Sequence, residues 1–179
     1  SQNPSRHARA SPQNPTMAQR PPYDHTGVEY YSINSFKFAC GTILPEVKVA
    51  YRSFNPSSTA GVVLIPTCYG GRINTTLNFT TAPTDCLAKY HVVVVAMLGN
   101  GESSSPSNKK MFPEPGELRY EDCIRSQYQL LTEHLGVKGL EAVIGFSMGG
   151  QQAHYWSVMY PDFMKRVVPI CSSARTSPH

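Results

Sequence analysis

Six residues, Gly145-Phe146-Ser147-Met148-Gly149-Gly150, constrain this chain more than any other stretch. The apolar run Ala142-Val143-Ile144 precedes them and a helix-compatible sequence follows. The G-x-S-x-G pattern therefore sits where a strand passes directly into a helix. A turn that tight strains the backbone of its central residue and leaves no space for side chains beside it. Gly145 and Gly149 supply the room. In such an elbow the Ser147 hydroxyl projects above the sheet, at a helix N-terminus whose dipole favours a developing negative charge. A glycine-rich turn with an incidental serine is the competing reading.

The rest of the chain supports an α/β sheet. Tyr31 to Phe38 and Leu44 to Phe54 read as strands, the second alternating Val47, Val49 and Tyr51 against Lys48, Ala50 and Arg52. Val62 to Pro66 and Val92 to Leu98 are continuous β-branched or apolar runs, as expected of parallel strands buried on both faces. Residues 99–117 read as a long loop. The spacing of Ile124, Tyr128, Leu131 and Leu135 predicts a helix over Tyr120–Leu135, stopped by Gly136. Strand Ala142–Gly145, helix Met148–Tyr160 and strand Arg166–Cys171 complete the pattern. Strands alternating with helices in this order predict a mostly parallel sheet with helices on both faces.

Composition excludes several classes. Apolar residues make up 40% and charged residues 16% of the 179, which fits a folded domain with a real core. The net charge of +4 arises in the first twenty residues, where Arg6, Arg9 and Arg20 face no acid. The remainder holds 13 Lys and Arg against 12 Asp and Glu, so no nucleic-acid surface is expected. The longest apolar run, Val92 to Leu98, is far too short to span a membrane. Residues 1–22, rich in Pro, Gln, Ser and Arg, are expected to be a disordered leader, with Met17 as a candidate natural start. Residues 23–179 are expected to form the folded part.

Five cysteines, at 40, 68, 86, 123 and 171, are widely spaced and form no Cys-x-x-Cys pair, so neither a zinc site nor a disulfide framework is expected. Cys123 and Cys171 read as buried free thiols, and the compartment as intracellular, taken to be the cytoplasm. The sequons at Asn74 and Asn78 read as chance.

A serine nucleophile needs two backbone donors for the oxyanion of its tetrahedral intermediate. Met148, the residue after the nucleophile, is one candidate. The loop after the third strand, Pro66-Thr67-Cys68-Tyr69-Gly70-Gly71, supplies the other, and the Tyr69 N–H is the choice here. An ordinary Gly-Gly turn is the alternative for that loop. A base and an orienting acid are also required. Only Asp162, His154 and His179 follow Ser147 as candidates. Asp162 reads as a turn residue after Pro161. His154 lies two helical turns and roughly 10 Å from Ser147 along the axis. His179 is terminal, and His7, His25, His91 and His134 read as structural or remote. No triad partner is assigned.

Several ordered stretches resemble the homoserine O-acetyltransferase-like branch of the α/β-hydrolase superfamily, with fungal secondary-metabolite or toxin-pathway members most similar. They are Val47-Lys-Val-Ala-Tyr-Arg-Ser-Phe, Leu64-Ile-Pro-Thr-Cys-Tyr-Gly-Gly, Met97-Leu-Gly-Asn-Gly, Tyr120-Glu-Asp-Cys-Ile-Arg-Ser-Gln, His134-Leu-Gly-Val, Gly145-Phe-Ser-Met-Gly-Gly and Cys171-Ser-Ser-Ala-Arg. The resemblance implies the N-terminal part of an α/β-hydrolase fold, without lid, last strands or catalytic acid and histidine. It implies Ser147 as acyl-accepting nucleophile and Tyr69 and Met148 as oxyanion donors. Small-molecule acyl donor and acceptor are the implied partners. Acetyl-CoA or another acyl thioester is an implied co-substrate, with no bound cofactor. The acetyltransferases usually carry Gly before the nucleophile; Phe146 stands there here, as a bulky residue does in esterase-like relatives. A non-catalytic remnant binding a partner through an open edge strand is the competing expectation.

Overall fold

A computed structural model describes residues 23–76, 86–114 and 116–175. The expected leader 1–22, the Asn78 sequon, His7 and His179 lie outside the described residues. Among the described residues six strands form one sheet: β1 (Glu29–Lys37), β2 (Ile43–Phe54), β3 (Val62–Pro66), β4 (His91–Val95), β5 (Ala142–Phe146) and β6 (Val167–Ile170). Their spatial order is β1-β2-β4-β3-β5-β6. β1, β2 and β4 pair antiparallel, whereas β4, β3, β5 and β6 run parallel. Among the described residues β6 lies at the edge of the sheet, with Val168 partly exposed.

The uninterrupted apolar runs are explained by alternation between two cores. Leu64, Val93, Val95 and Val143 point to one face, where they meet Ile124, Leu131, Ala153 and Trp156. Val63, Ile65, Val92 and Val94 point to the other, where Ile73 and Leu87 cover them. Because each of residues 62–65 and 92–95 is needed on one side or the other, no position within these runs is left for a polar side chain. On the second face Ile73 belongs to a short 3-10 turn, Ile73–Thr75. Among the described residues, α1 (Tyr120–Gln129) and α2 (Met148–Met159) pack against each other on the first face.

Three differences from the sequence reading have a physical reason in the structure. The helix predicted to reach Leu135 leaves α-helical geometry at Leu130–His134, a π-turn in which the Leu135 N–H reaches back to the Leu130 carbonyl, 3.0 Å away. Gly136 then ends it at φ 66°. β4 stops at Val95 although Met97 and Leu98 are also buried. The Met97 N–H turns to the Thr67 hydroxyl (3.1 Å) in place of a neighbouring strand. The long loop is partly a buried wedge: the Ser103 and Ser104 hydroxyls accept the Ala50 and Lys48 N–H groups at 2.9 Å, which satisfies donors of β2.

α1 is anchored by a carboxylate that the sequence reading did not single out. Asp122 is fully buried and accepts the N–H groups of Arg119 (3.1 Å) and Ala39 (2.8 Å) and the Arg125 guanidinium (2.5 Å). It thereby caps the helix N-terminus and ties it to the segment after β1.

Candidate active site

Pairing of β3 with both β4 and β5 decides what meets at the carboxyl edge of the sheet. It sets the segment after β3, Thr67–Gly71, between Met97–Asn100 after β4 and the elbow after β5. Ser172 and Ser173, after β6, close the row. Ligands of open α/β sheets bind at this edge.

Ser147 has φ 53° and ψ −119°, a conformation costly for any residue with a side chain. The turn is held on both sides. Ser147 donates its N–H to the Ile170 carbonyl (2.9 Å), and its own carbonyl accepts the Gln151 N–H (3.1 Å). The glycines are needed for space. A Cβ on Gly145 would overlap the Gly149 carbonyl, and one on Gly149 would stand 2.6 Å from the Pro66 oxygen. Gly150 is confined too, its Cβ position lying 2.5 Å from Ser172 Cβ. Ser147 itself is half-buried and lines a recess of about 500 Å³ with Met148, Gln151, Cys171, Ser172 and Ser173.

On the other side of Met148 lies a second, more apolar recess of about 420 Å³, lined by Tyr69, Gly70, Met97, Leu98, Gly99, Asn100, Leu118 and Met148. The two backbone groups singled out from sequence, Tyr69 and Met148, thus border the same space. Among the described residues neither N–H has an intramolecular acceptor. Tyr69 is 82% exposed. The loop is rigidly placed: Thr67 donates its N–H to Val95 (2.9 Å), and its hydroxyl accepts from Met97 and from Asn100 (3.3 Å). Gly70, at φ 65°, lets the chain reverse beyond it.

The described histidines are engaged elsewhere or remote. The His91 ring lies 2.6 Å from the Ser53 hydroxyl, and burial holds its pKa below the ordinary value. His134 bonds the Tyr51 hydroxyl at 2.9 Å and stacks on Tyr31. His25 packs edge-on to Tyr23, and His154 lies mid-helix in α2. Asp162 falls in a short turn, Pro161–Phe163, as expected. Among the described residues no cluster of three or more His, Cys, Asp or Glu could hold a metal ion. No helix among them is long and apolar enough to cross a membrane.

Cys123 is buried, and desolvation pushes its thiol up to about 12. The expectation that Cys171 is buried is corrected: it is exposed. It follows an edge strand and takes φ 48°, which turns it out of the ladder. All five cysteines are free.

Residues 61–179 match the model of the alpha/beta hydrolase fold family. The chain belongs to this family. Within the alpha/beta hydrolases it is 35% identical over 163 residues to an ethyl acetate hydrolase from Pseudomonas veronii, covering 87% of this chain and 47% of that protein. It is 32% identical over 172 residues to a homoserine O-acetyltransferase from Methanobrevibacter ruminantium, covering 83% and 35%. The solved structure of the acetyl esterase MekB superimposes with a TM-score of 0.78 at 35% identity, over 87% of this chain and 47% of that one. The chain spans about half the length, or less, of these relatives.

Signals for the buried polar residues behind the site were not found by motif reading. Gln127, Gln152 and Glu102 are buried: Gln152 donates to the Thr67 carbonyl, Gln127 donates to Gln152, and Glu102 accepts the Ile73 N–H. For Gln127 and Gln152 the sequence sign is a polar residue at a helical position otherwise facing the core.

Proposed function

We propose that the protein is a serine-dependent acyl-transfer enzyme. The Ser147 oxygen attacks the carbonyl carbon of an ester or thioester, the hydroxyl proton goes to a base, and a tetrahedral oxyanion forms. The backbone N–H groups of Tyr69 and Met148 receive that oxyanion. Its collapse breaks the bond to the alcohol or thiol, which leaves with the proton, and water or an alcohol then takes the acyl group from Ser147.

The observation that carries this reading is the strained Ser147 backbone, φ 53° and ψ −119°, on a strand-to-helix turn followed by Met148, which shares a recess with Tyr69; among the described residues the N–H groups of both have no acceptor. Strain of this kind persists only where the surroundings impose it, and here three glycines and a bond to β6 do so. The reading requires a histidine, oriented by an acid, from outside the described residues. The apolar recess at Leu98, Leu118 and Met148 suits the acyl group.

Phe146 before the nucleophile and the ethyl acetate hydrolase relative favour water as acceptor and a small ester as donor. The homoserine O-acetyltransferase relative supports the alternative, an alcohol acceptor with acetyl-CoA or another acyl thioester as donor. A role in fungal secondary metabolism rests on the sequence resemblance alone, and an intracellular setting on the cysteine pattern alone. The relatives described above are bacterial and archaeal.

The test is turnover of a small acetate ester, and CoA release from acetyl-CoA, by the whole protein with and without homoserine or serine. Ser147→Ala is the control. Ester hydrolysis that needs no alcohol supports the esterase reading; release that depends on the alcohol supports the transferase. Turnover unchanged in Ser147→Ala excludes both.

A further inference from the structure

Behind the two recesses runs a hydrogen-bonded chain of fully buried side chains. Trp156 Nε1 donates to Gln127 Oε1 (2.8 Å), and Gln127 Nε2 donates to Gln152 Oε1 (2.6 Å). Gln152 Nε2 donates to the Thr67 carbonyl (3.0 Å) and lies 3.4 Å from the Met148 carbonyl. Trp156, Gln127, Gln152 and Thr67 each have 0% exposure.

The two ends fix the direction of every link. An indole N–H can only donate, and a backbone carbonyl can only accept. Gln127 must therefore offer its oxygen to Trp156 and its nitrogen to Gln152. Gln152 must then turn its oxygen to Gln127 and its nitrogen to the two carbonyls. Flipping either amide would set donor against donor or acceptor against acceptor in a dry interior, where an unmade bond is costly.

Those two carbonyls belong to the two segments that carry the proposed oxyanion donors. Thr67 begins the loop leading to Tyr69, and Met148 is itself the other donor residue. We infer that Gln152 is a positioning residue: its carboxamide ties the loop after β3 to the first turn of α2. It thereby sets the spacing between the Tyr69 and Met148 N–H groups. Gly149 adds the steric half of this joint, since its Cα rests against the Pro66 carbonyl and leaves no slack. Gln152 touches no substrate. This inference rests on the acyl-transfer reading above.

The experiment compares the whole protein with Gln152→Met and Trp156→Phe, using a small acetate ester and a trifluoromethyl ketone that mimics the oxyanion. Rates are expressed per site titrated with a fluorophosphonate, so misfolded protein does not count. Misplacement by a fraction of an ångström predicts a fall in kcat of about tenfold or more for Gln152→Met, with KM within about twofold. Ketone affinity falls in proportion. Trp156→Phe keeps an aromatic ring in place but leaves Gln127 Oε1 without its donor, so Gln127 is held through its nitrogen alone, and predicts a smaller fall of about threefold with the same split. This variant decides the matter if Gln152→Met fails to fold. Rates per titrated site within about twofold of wild type in the variants that fold, or a rise in KM with kcat unchanged, overturn the positioning role alone. Wild-type turnover that does not depend on Ser147 overturns the acyl-transfer reading and the positioning role together.

Discussion

The Cα of Gly149 lies so close to the Pro66 carbonyl that an added Cβ would stand 2.6 Å from its oxygen. One residue belongs to α2 and the other ends β3, so this contact sets how near the elbow approaches the neighbouring loop. Gly149→Ala must push backbone against backbone, because no flexible side chain is present to yield. The expected loss of stability is about 1–3 kcal/mol, the range for overpacking a tight interior. Denaturant unfolding measures it. Acyl transfer should fall further than stability does, because the two proposed donors move apart.

Ser147 stores strain of its own. Glycine adopts φ 53° and ψ −119° without a Cβ penalty, so Ser147→Gly should stabilise the fold by about 1–3 kcal/mol while removing acyl transfer. Ser147→Ala removes acyl transfer as well but keeps the strain, so it should not gain that stability. Parallel denaturation curves for wild type and both variants check the contrast. Equal stability of the Gly and Ala variants would contradict the strained geometry.

Alkaline titration is expected to be split. Burial, aided by neighbouring carboxylates, pushes the Tyr23, Tyr31 and Tyr51 hydroxyls up to about 12, and burial does the same for Tyr120. These groups keep their protons in the folded state at a pH where the unfolded chain, with tyrosines near 10, loses them. Their contribution to stability is thus complete below about pH 10 and declines as pH rises towards 12. Tyrosinate absorbance should show part of the ten tyrosines titrating late. Tyr120→Phe should remove one late-titrating group. A single unshifted titration would contradict the burial of these hydroxyls.

Thiol chemistry should separate two cysteines. Cys123 is buried with its thiol pushed up to about 12, and should resist alkylation until the protein unfolds. Cys171 is exposed and borders the recess that holds Ser147, so a bulky maleimide there should block acyl transfer. Cys171→Ala should protect activity against the reagent, as read by mass spectrometry alongside turnover. Inactivation unaffected by this substitution would place the sensitive thiol elsewhere.

The elbow was legible in the sequence because it obeys a local rule. Gly145 and Gly149 are required by clashes that arise within a few residues of the serine or against the adjacent strand. The parallel strands were legible for a related reason, since burial on both faces removes polar positions from Val62–Pro66 and residues 92–95. What escaped reading was made by distant pairing. Ser103 and Ser104 resemble loop residues until β2 presents them with unpaired N–H groups. Gln127 and Gln152 look like polar exceptions on apolar helix faces until Trp156 and the Thr67 carbonyl are placed at the two ends of their chain. Cys171 was misplaced because an apolar strand reads the same whether it lies inside a sheet or at its edge.

The most direct test of the central claim is to trap the acyl-enzyme. The whole protein is quenched in acid after brief exposure to a p-nitrophenyl acetate excess, and its peptides are weighed. The account predicts one acetyl group on the peptide containing Ser147, absent from Ser147→Ala. Rapid ester turnover with no adduct on that peptide, or an adduct on another residue that turns over at the same rate, would contradict it.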